Sequence, residues 1–308
     1  MKRLQLLFLI LVSATFFSSC TVVNDDPIDT AISLRELLEG QDLWYIDYHR
    51  TAGTGNVPFV SKAFTLSFLN GRLYANNNMV DVGKTGNGFG VAVGSYATSN
   101  RFVNLNHGLD GSFEFEVVQL SNTEIRIDCT SRNVSYYLIG YQRGNFDYDK
   151  LFYDNIEYFL QEYMAWERVK TAGGSPNVFD KEHYLQFTPK NNVTFYSSHD
   201  PFGMNVDNIK WDYVGGYEVA NINGYPKLKI LTLNYDGGDT EKFELSVIND
   251  ERIALYHLRS QTTYTFAGRG FVQYLRSKGT SSAKAVTKYE GRKRSIIKRK
   301  TVERRVLK

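Results

Sequence analysis

The sequence predicts a mainly β protein in which two antiparallel meander barrels follow one another, each introduced by a short helix, ahead of a basic C-terminal tail. Three observations predict it. Aromatic residues make up 14% of the 308 residues, with 21 Tyr and 20 Phe against 6 Pro, and such side chains suit pleated, half-buried surfaces. Residues 115–141 align without a gap on 243–269 at a constant offset of 128, with Phe115/Phe243, Glu116/Glu244, Ile125/Ile253, Tyr136/Tyr264 and Gly140/Gly268 identical, the mark of an internal repeat. Ile125, Ile127 and Cys129 alternate with Glu124, Arg126 and Asp128, and Ile253, Leu255 and His257 repeat the phase. A period of two with one apolar face is a half-buried strand. Hydrophobic residues at 42% exclude a chain disordered throughout.

At the N-terminus, Lys2-Arg3 precedes an apolar run from Leu4 to Phe17 and then Ser18-Ser19-Cys20. This pattern reads as a secretory signal over residues 1–19, and it is shorter than the roughly 20 apolar residues a spanning helix needs. A Cys directly after small residues resembles a bacterial lipoprotein signal, in the looser Bacteroidota form with Phe17 in place of the usual Leu. The resemblance implies acylation of Cys20 with palmitate-type chains and a lipidated acidic tether over 20–32. Asn24-Asp25-Asp26 is similar to the export signal of surface lipoproteins. An outer-membrane lipoprotein is therefore expected. Once Cys20 is acylated only Cys129 remains, so no intramolecular disulfide forms even in an oxidising compartment.

The first β domain is expected over 33–146 and the second over 147–275. Ser33-Leu34-Arg35-Glu36 is a capping box ahead of Leu37 and Leu38, with Gly40 placed to end the helix. Trp44 then opens the first strand. In the second copy Phe152, Ile156, Phe159, Leu160 and Tyr163 recur at helical spacing before Trp166. Thr51-Ala52-Gly53 and Thr171-Ala172-Gly173 are expected in equivalent loops. Asn70-Gly71, Asp110-Gly111, Asn223-Gly224 and Asp236-Gly237 supply the positive φ angles of tight hairpins. Ser121-Asn122 and Asn249-Asp250 divide one more hairpin in each copy. Seven or eight strands per copy suffice for an up-and-down sheet to close. A helix, a strand-borne Trp and such a meander resemble a lipocalin, and a two-sheet sandwich stays open as the alternative.

The chain as a whole resembles a Bacteroidota lipoprotein family that sometimes carries the label nicotinic acid mononucleotide adenylyltransferase. The resemblance rests on Leu43-Trp44-Tyr45, Tyr74-Ala75-Asn76-Asn77-Asn78, Thr85-Gly86-Asn87-Gly88, Phe146-Asp147-Tyr148-Asp149, Trp211-Asp212-Tyr213 and Glu244 to Asp250. The label implies a His-x-Gly-His type element at a helix N-terminus, where imidazoles meet phosphate. The chain contains no Gly-His pair, which argues against adenylyltransferase activity.

Other motifs yield no catalytic, cofactor or metal site. Gly83-Lys84-Thr85 lacks the Gly that a phosphate loop places five residues earlier, where Asn78 stands; a barrel-mouth loop explains the Gly-rich run to Gly94. The His residues at 49, 107, 183, 199 and 257 have no metal-ligand spacing. His257, in phase with Ile253 and Leu255, and Cys129, in phase with Ile127, read as core positions. Asn106 to Gly111 reads as a hairpin turn, and Ser198-His199-Asp200-Pro201 as a turn whose neighbouring residues cannot form a triad.

The formal charge of +3 conceals two opposed regions. Of 36 basic residues, 13 lie in 276–308 with two acidic ones, and Lys2 and Arg3 precede the body, which keeps 21 basic against 31 acidic residues. The tail reads as disordered or partly helical. Arg292, Lys293, Arg294, Lys298, Arg299, Lys300, Arg304 and Arg305 are its candidate contacts to an anionic surface such as lipopolysaccharide. Export argues against nucleic acid, and docking on the acidic body is a further option. The sequence thus points to a non-enzymatic envelope lipoprotein that binds a small apolar ligand or another envelope component, with a structural subunit of an outer-membrane complex and a hydrolase using paired carboxylates as alternatives.

Overall fold

A computed structural model describes residues 32–188, 194–271 and 299–304. Cys20, the signal segment and the tether up to residue 31 lie outside the described residues. So do Arg292, Lys293, Arg294, Lys298 and Arg305.

The first domain starts with α1 (Leu34–Glu39), capped as expected: the Glu36 amide donates to Ser33 Oγ at 3.3 Å and the Ser33 amide to Glu36 Oε2 at 2.7 Å. Eight strands follow: β1 (Leu43–Gly53), β2 (Thr65–Leu69), β3 (Arg72–Asn76), β4 (Val91–Ser99), β5 (Phe102–His107), β6 (Gly111–Ser121), β7 (Glu124–Cys129) and β8 (Val134–Tyr141). Each pairs antiparallel with the next, and β1 pairs with β8 to close the barrel. Two short helices interrupt the meander, α2 (Pro58–Lys62) and α3 (Val82–Thr85), so part of the Gly-rich run is helical rather than loop.

The second domain begins with α4 (Tyr148–Asp154) and α5 (Ile156–Leu160). The expected single helix is thus broken at Asn155, whose backbone leaves the helical region at φ −121° and ψ 31°, and Tyr163 belongs to the following strand. A second ring comprises β9 (Tyr163–Ala172), β10 (Tyr184–Thr188), β11 (Thr194–Ser198), β12 (Tyr213–Ile222), β13 (Tyr225–Tyr235), β14 (Thr240–Asn249), β15 (Arg252–His257) and β16 (Thr263–Phe271). Pairings β9–β16 and β11–β12 close it. The fold is therefore two closed eight-stranded antiparallel barrels in tandem. Thr51-Ala52-Gly53 and Thr171-Ala172 occupy equivalent places, but as strand ends and not loops: Ala52 pairs with Ser135 and Thr171 with Tyr264.

The copies repeat atomic detail. Trp44 Nε1 donates to the Leu38 carbonyl at 2.9 Å and Trp166 Nε1 to the Leu160 carbonyl at 2.8 Å. This bond pins each introductory helix to its first strand and satisfies a buried indole donor. Opposite each Trp stands a glycine, Gly140 and Gly268. At the other end an inserted turn plugs each barrel. In the first, α2 buries Phe59 and Val60; in the second, a 3-10 turn (Val178–Lys181) buries Phe179.

Inward side chains fill both interiors. Trp44, Ile46, Leu66, Phe68, Phe115 and Leu138 belong to one buried cluster, and Trp166, Leu185, Phe187, Leu231, Phe243 and Phe266 to the other. Cys129 is buried within the first. The expected lipocalin-type meander is thus present with its cores occupied by protein.

The tail differs from its expected form where it is described. Residues 301–302 form β17 (Thr301–Val302), parallel to Asn221 and Ile222 of β12. The segment is extended and paired because β11 spans five residues against ten in β12, which leaves the far half of β12 with unpaired backbone groups.

Candidate functional site

A cleft of about 570 Å3 lies where the first barrel, the connection between the domains and the C-terminal segment meet, within the range typical of small-molecule sites. Its first wall is aromatic. Tyr45 and Tyr48 come from β1, Tyr141 from the end of β8, and Phe146 from the connection. Tyr45 and Tyr141 are out of phase with the buried Trp44 and Leu138, so strand alternation turns them away from the core. The Phe146 ring lies 5.1 Å from that of Tyr141 and 6.4 Å from that of Tyr45. Tyr48 and the exposed His49 extend the surface, with ring centroids 4.1 Å apart.

The rest of the lining is largely polar. Asp147 caps α4 by accepting from the Lys150 amide at 2.9 Å. Lys150 pairs with Asp154 one turn on. Asn145, Asn155 and Asn221 add amide groups. Arg299 completes this part. Its Nε donates to Glu157 Oε1 at 2.8 Å, its Nη2 to Glu157 Oε2, and its Nη1 to the Asp154 carbonyl at 2.7 Å. Both side chains are nearly buried, at 4% and 6% exposure, and a bidentate, further hydrogen-bonded geometry is what allows such a pair to be desolvated. Lys229 beside it donates to Asn221 Oδ1 at 2.9 Å; burial, and then the neighbouring Arg299, hold its pKa below the usual lysine range. The cations here are thus matched by Asp154, Glu157 and an amide.

A second polar cluster closes the plugged end of barrel two. Tyr235 donates to both carboxylate oxygens of Glu182 at 2.7 and 2.8 Å. Burial, with Glu241 nearby, raises Glu182 to about 7 against the hydrogen bonds of Tyr235 and Ser197 and the charge of Arg168. His257 bridges Glu241 and Ser260, with Nε2 2.7 Å from Oε2 and Nδ1 2.7 Å from Oγ. Ser260 Oγ also donates to Thr262 Oγ1 at 2.8 Å and accepts from Asn177 Nδ2 at 3.0 Å. Every capacity of that hydroxyl is engaged and the residue is 6% exposed, so the serine, imidazole and carboxylate form a structural network and no nucleophilic unit. At the offset of 128, barrel one carries Phe113 and Cys129 in place of Glu241 and His257.

Of the expected anionic-surface contacts, Arg299, Lys300 and Arg304 are taken up by the body. Lys300 pairs with Glu218 at 3.2 Å, and Arg304 grips Glu244 through two bonds at 2.8 and 2.9 Å. The reason is charge complementarity between the acidic body and the tail. Of the cleft residues, sequence reasoning named Arg299 alone, and that as a contact to an anionic surface. Yet Tyr45, Phe146 and Asp147 fall in segments that carry the family resemblance, a signal already present. His257 is a hydrogen-bonded core residue as expected, and Ser198 to Pro201 form a turn in which the Asp200 amide donates to Ser198 Oγ at 3.0 Å. Among the described residues no three His, Cys, Asp or Glu side chains group as metal ligands, and no helix is long and apolar enough to cross a membrane.

No family model matches the chain, and no curated protein does. Among solved structures, a complex of a Saccharomyces cerevisiae Dbp5 variant with Nup159, a Gle1 variant, IP6 and ADP aligns with 7% identity and a TM-score of 0.10, over 74% of this chain and 87% of that one. A likeness of that degree carries no argument about fold or function.

Proposed function

We propose that the protein is a non-enzymatic, lipid-anchored envelope protein that binds another envelope component in the cleft beside the first barrel. The observation that carries this reading is the filling of both barrels: Trp44, Phe115 and Phe68 in one, and Trp166, Phe243 and Phe187 in the other, are at most 3% exposed. An apolar small molecule would have to displace packed side chains, at a cost of several kcal/mol for even one buried aromatic, so the cleft is the better receptor. Acylation at Cys20 would hold this receptor at the outer membrane. Glu182 and Glu241, neighbouring carboxylates at the plugged end of barrel two, are 5% and 7% exposed, too buried to serve a substrate as a hydrolytic pair.

Mild-detergent capture of the full chain tests the reading. Wild type is expected to retain a stoichiometric envelope component that Tyr48→Ala and Phe146→Ala lose. Retention by both variants, or capture of a lipid from inside either barrel, would refute it.

A further inference from the structure

Resting on the cleft as the binding site, we infer that its ligand is a neutral saccharide, a pyranose disaccharide or the corresponding segment of an envelope glycan. Four features of the lining select this chemistry. Tyr45, Tyr48, Tyr141 and Phe146 contribute aromatic rings to the lining. A pyranose offers a flat face of C–H groups that packs on such rings, and its hydroxyls stay free to turn the other way. The same lining offers those hydroxyls Asp147 and the amides of Asn145, Asn155 and Asn221. A carboxylate accepts from two adjacent hydroxyls at once, and an amide both donates and accepts.

Charge narrows the class. Among the described residues, Lys150 faces Asp154 and Arg299 faces Glu157, so each cation of the lining already has a carboxylate beside it, and Asp147 opposes an anion further. A fatty chain is excluded by the converse argument: its burial would strip water from Asp147 and the asparagines with no hydrogen bonds in return. A cavity of about 570 Å3 has room for two sugar rings and leaves the ends of a longer glycan free to continue. Such a site would let an acylated protein hold a surface or periplasmic polysaccharide without modifying it.

The test is saturation-transfer NMR with the full chain lacking its signal segment, using maltose, cellobiose and N,N′-diacetylchitobiose as probes and N-phenyl-1-naphthylamine as the apolar competitor. At least one disaccharide is expected to receive saturation at its ring C–H protons. Tyr48→Ala and Phe146→Ala should each weaken binding by at least about tenfold, and Asp147→Asn, which keeps shape and removes charge, by several-fold. Val178→Ser, on the exposed plug of barrel two, should leave it unchanged. Because Phe146 packs on its neighbours, Tyr48→Ala is the decisive variant if Phe146→Ala unfolds. No signal from any sugar overturns the saccharide assignment, and so does displacement of a bound sugar by the naphthylamine. If sugar binding fails while Tyr48→Ala still loses the captured envelope component, the cleft stands and its ligand is of another class. Sugar binding that survives the cleft variants overturns the location.

Discussion

Gly140 and Gly268 sit opposite Trp44 and Trp166, and the same residue type at both places reflects the same steric demand met by different neighbours. A Cβ on Gly140 would lie 2.4 Å from Gln41 Cγ, whereas one on Gly268 would lie 2.5 Å from two carbons of the Tyr163 ring. Gln41 is a flexible, half-exposed side chain that can swing aside; Tyr163 is buried, packed edge-to-face with Trp166 at 4.8 Å between ring centroids, and donates to the Asp250 carbonyl at 2.9 Å. Gly268→Ala is therefore expected to destabilise by about 1–3 kcal/mol, the usual range for an overpacked core, and Gly140→Ala by less than about 1 kcal/mol. Denaturant midpoints of the two variants check this, and equal losses would contradict it. Both glycines were visible in advance as an identical pair at the offset of 128, but their partners were not. Gln41 precedes Trp44 by three residues and Tyr163 precedes Trp166 by three, so the positions match while the side chains differ.

At the scale of elements, the plugged end of barrel two carries a titrating carboxylate, Glu182. Glu182 holds its proton more tightly folded than unfolded, from the ordinary 4.5 up to about 7. Stability from this group is fully present below pH 4.5, declines as pH rises through that window, and is lost above about 7, where the buried carboxylate is ionised. The span corresponds to about 3 kcal/mol. Thermal midpoints should fall between pH 5 and 7.5 more steeply for wild type than for Glu182→Gln, which stays neutral and accepts from Tyr235. Parallel curves for the two would remove the titration from Glu182. The hairpins around this end were legible because alternation and Asn-Gly or Asp-Gly turns are local signals. The network was not, since Glu182, Tyr235, Glu241 and His257 meet only after β10, β13, β14 and β15 curl into a ring, and no spacing along the chain encodes that. The break of the second helix at Asn155 escaped for a related reason: the apolar period continues through it, while its side chain bonds back to the Leu151 carbonyl at 2.9 Å.

For the whole molecule, the C-terminal segment joins parts that are remote in sequence. Arg299 reaches Glu157 across 142 positions, and Arg304 reaches Glu244 across 60. Arg299→Ala would strand Glu157 as an unpaired buried carboxylate, with an expected loss of about 3–5 kcal/mol. Arg304→Ala, at a partly exposed pair that salt screens, should cost far less. Differential calorimetry of the two variants separates them, and comparable small losses would show that the segment is not seated as described. Opposed charge between body and tail was readable from composition, but the choice of partners was not. Lys and Arg runs look alike whether they meet a membrane or a carboxylate of the same chain, and burial alone distinguishes the two.

The parallel seating of β17 on β12 has a further consequence. Each ring is closed, and the part of β12 that outruns β11 is already taken in part by Thr301 and Val302. A foreign polypeptide that recruits by zipping its backbone onto a rim would first have to evict Thr301 and Val302 together with the arginine clasps on either side of them. Recognition along this part of β12 is thereby steered toward side-chain surfaces, and a tag fused near residue 304 would compete with the seal that β17 makes there.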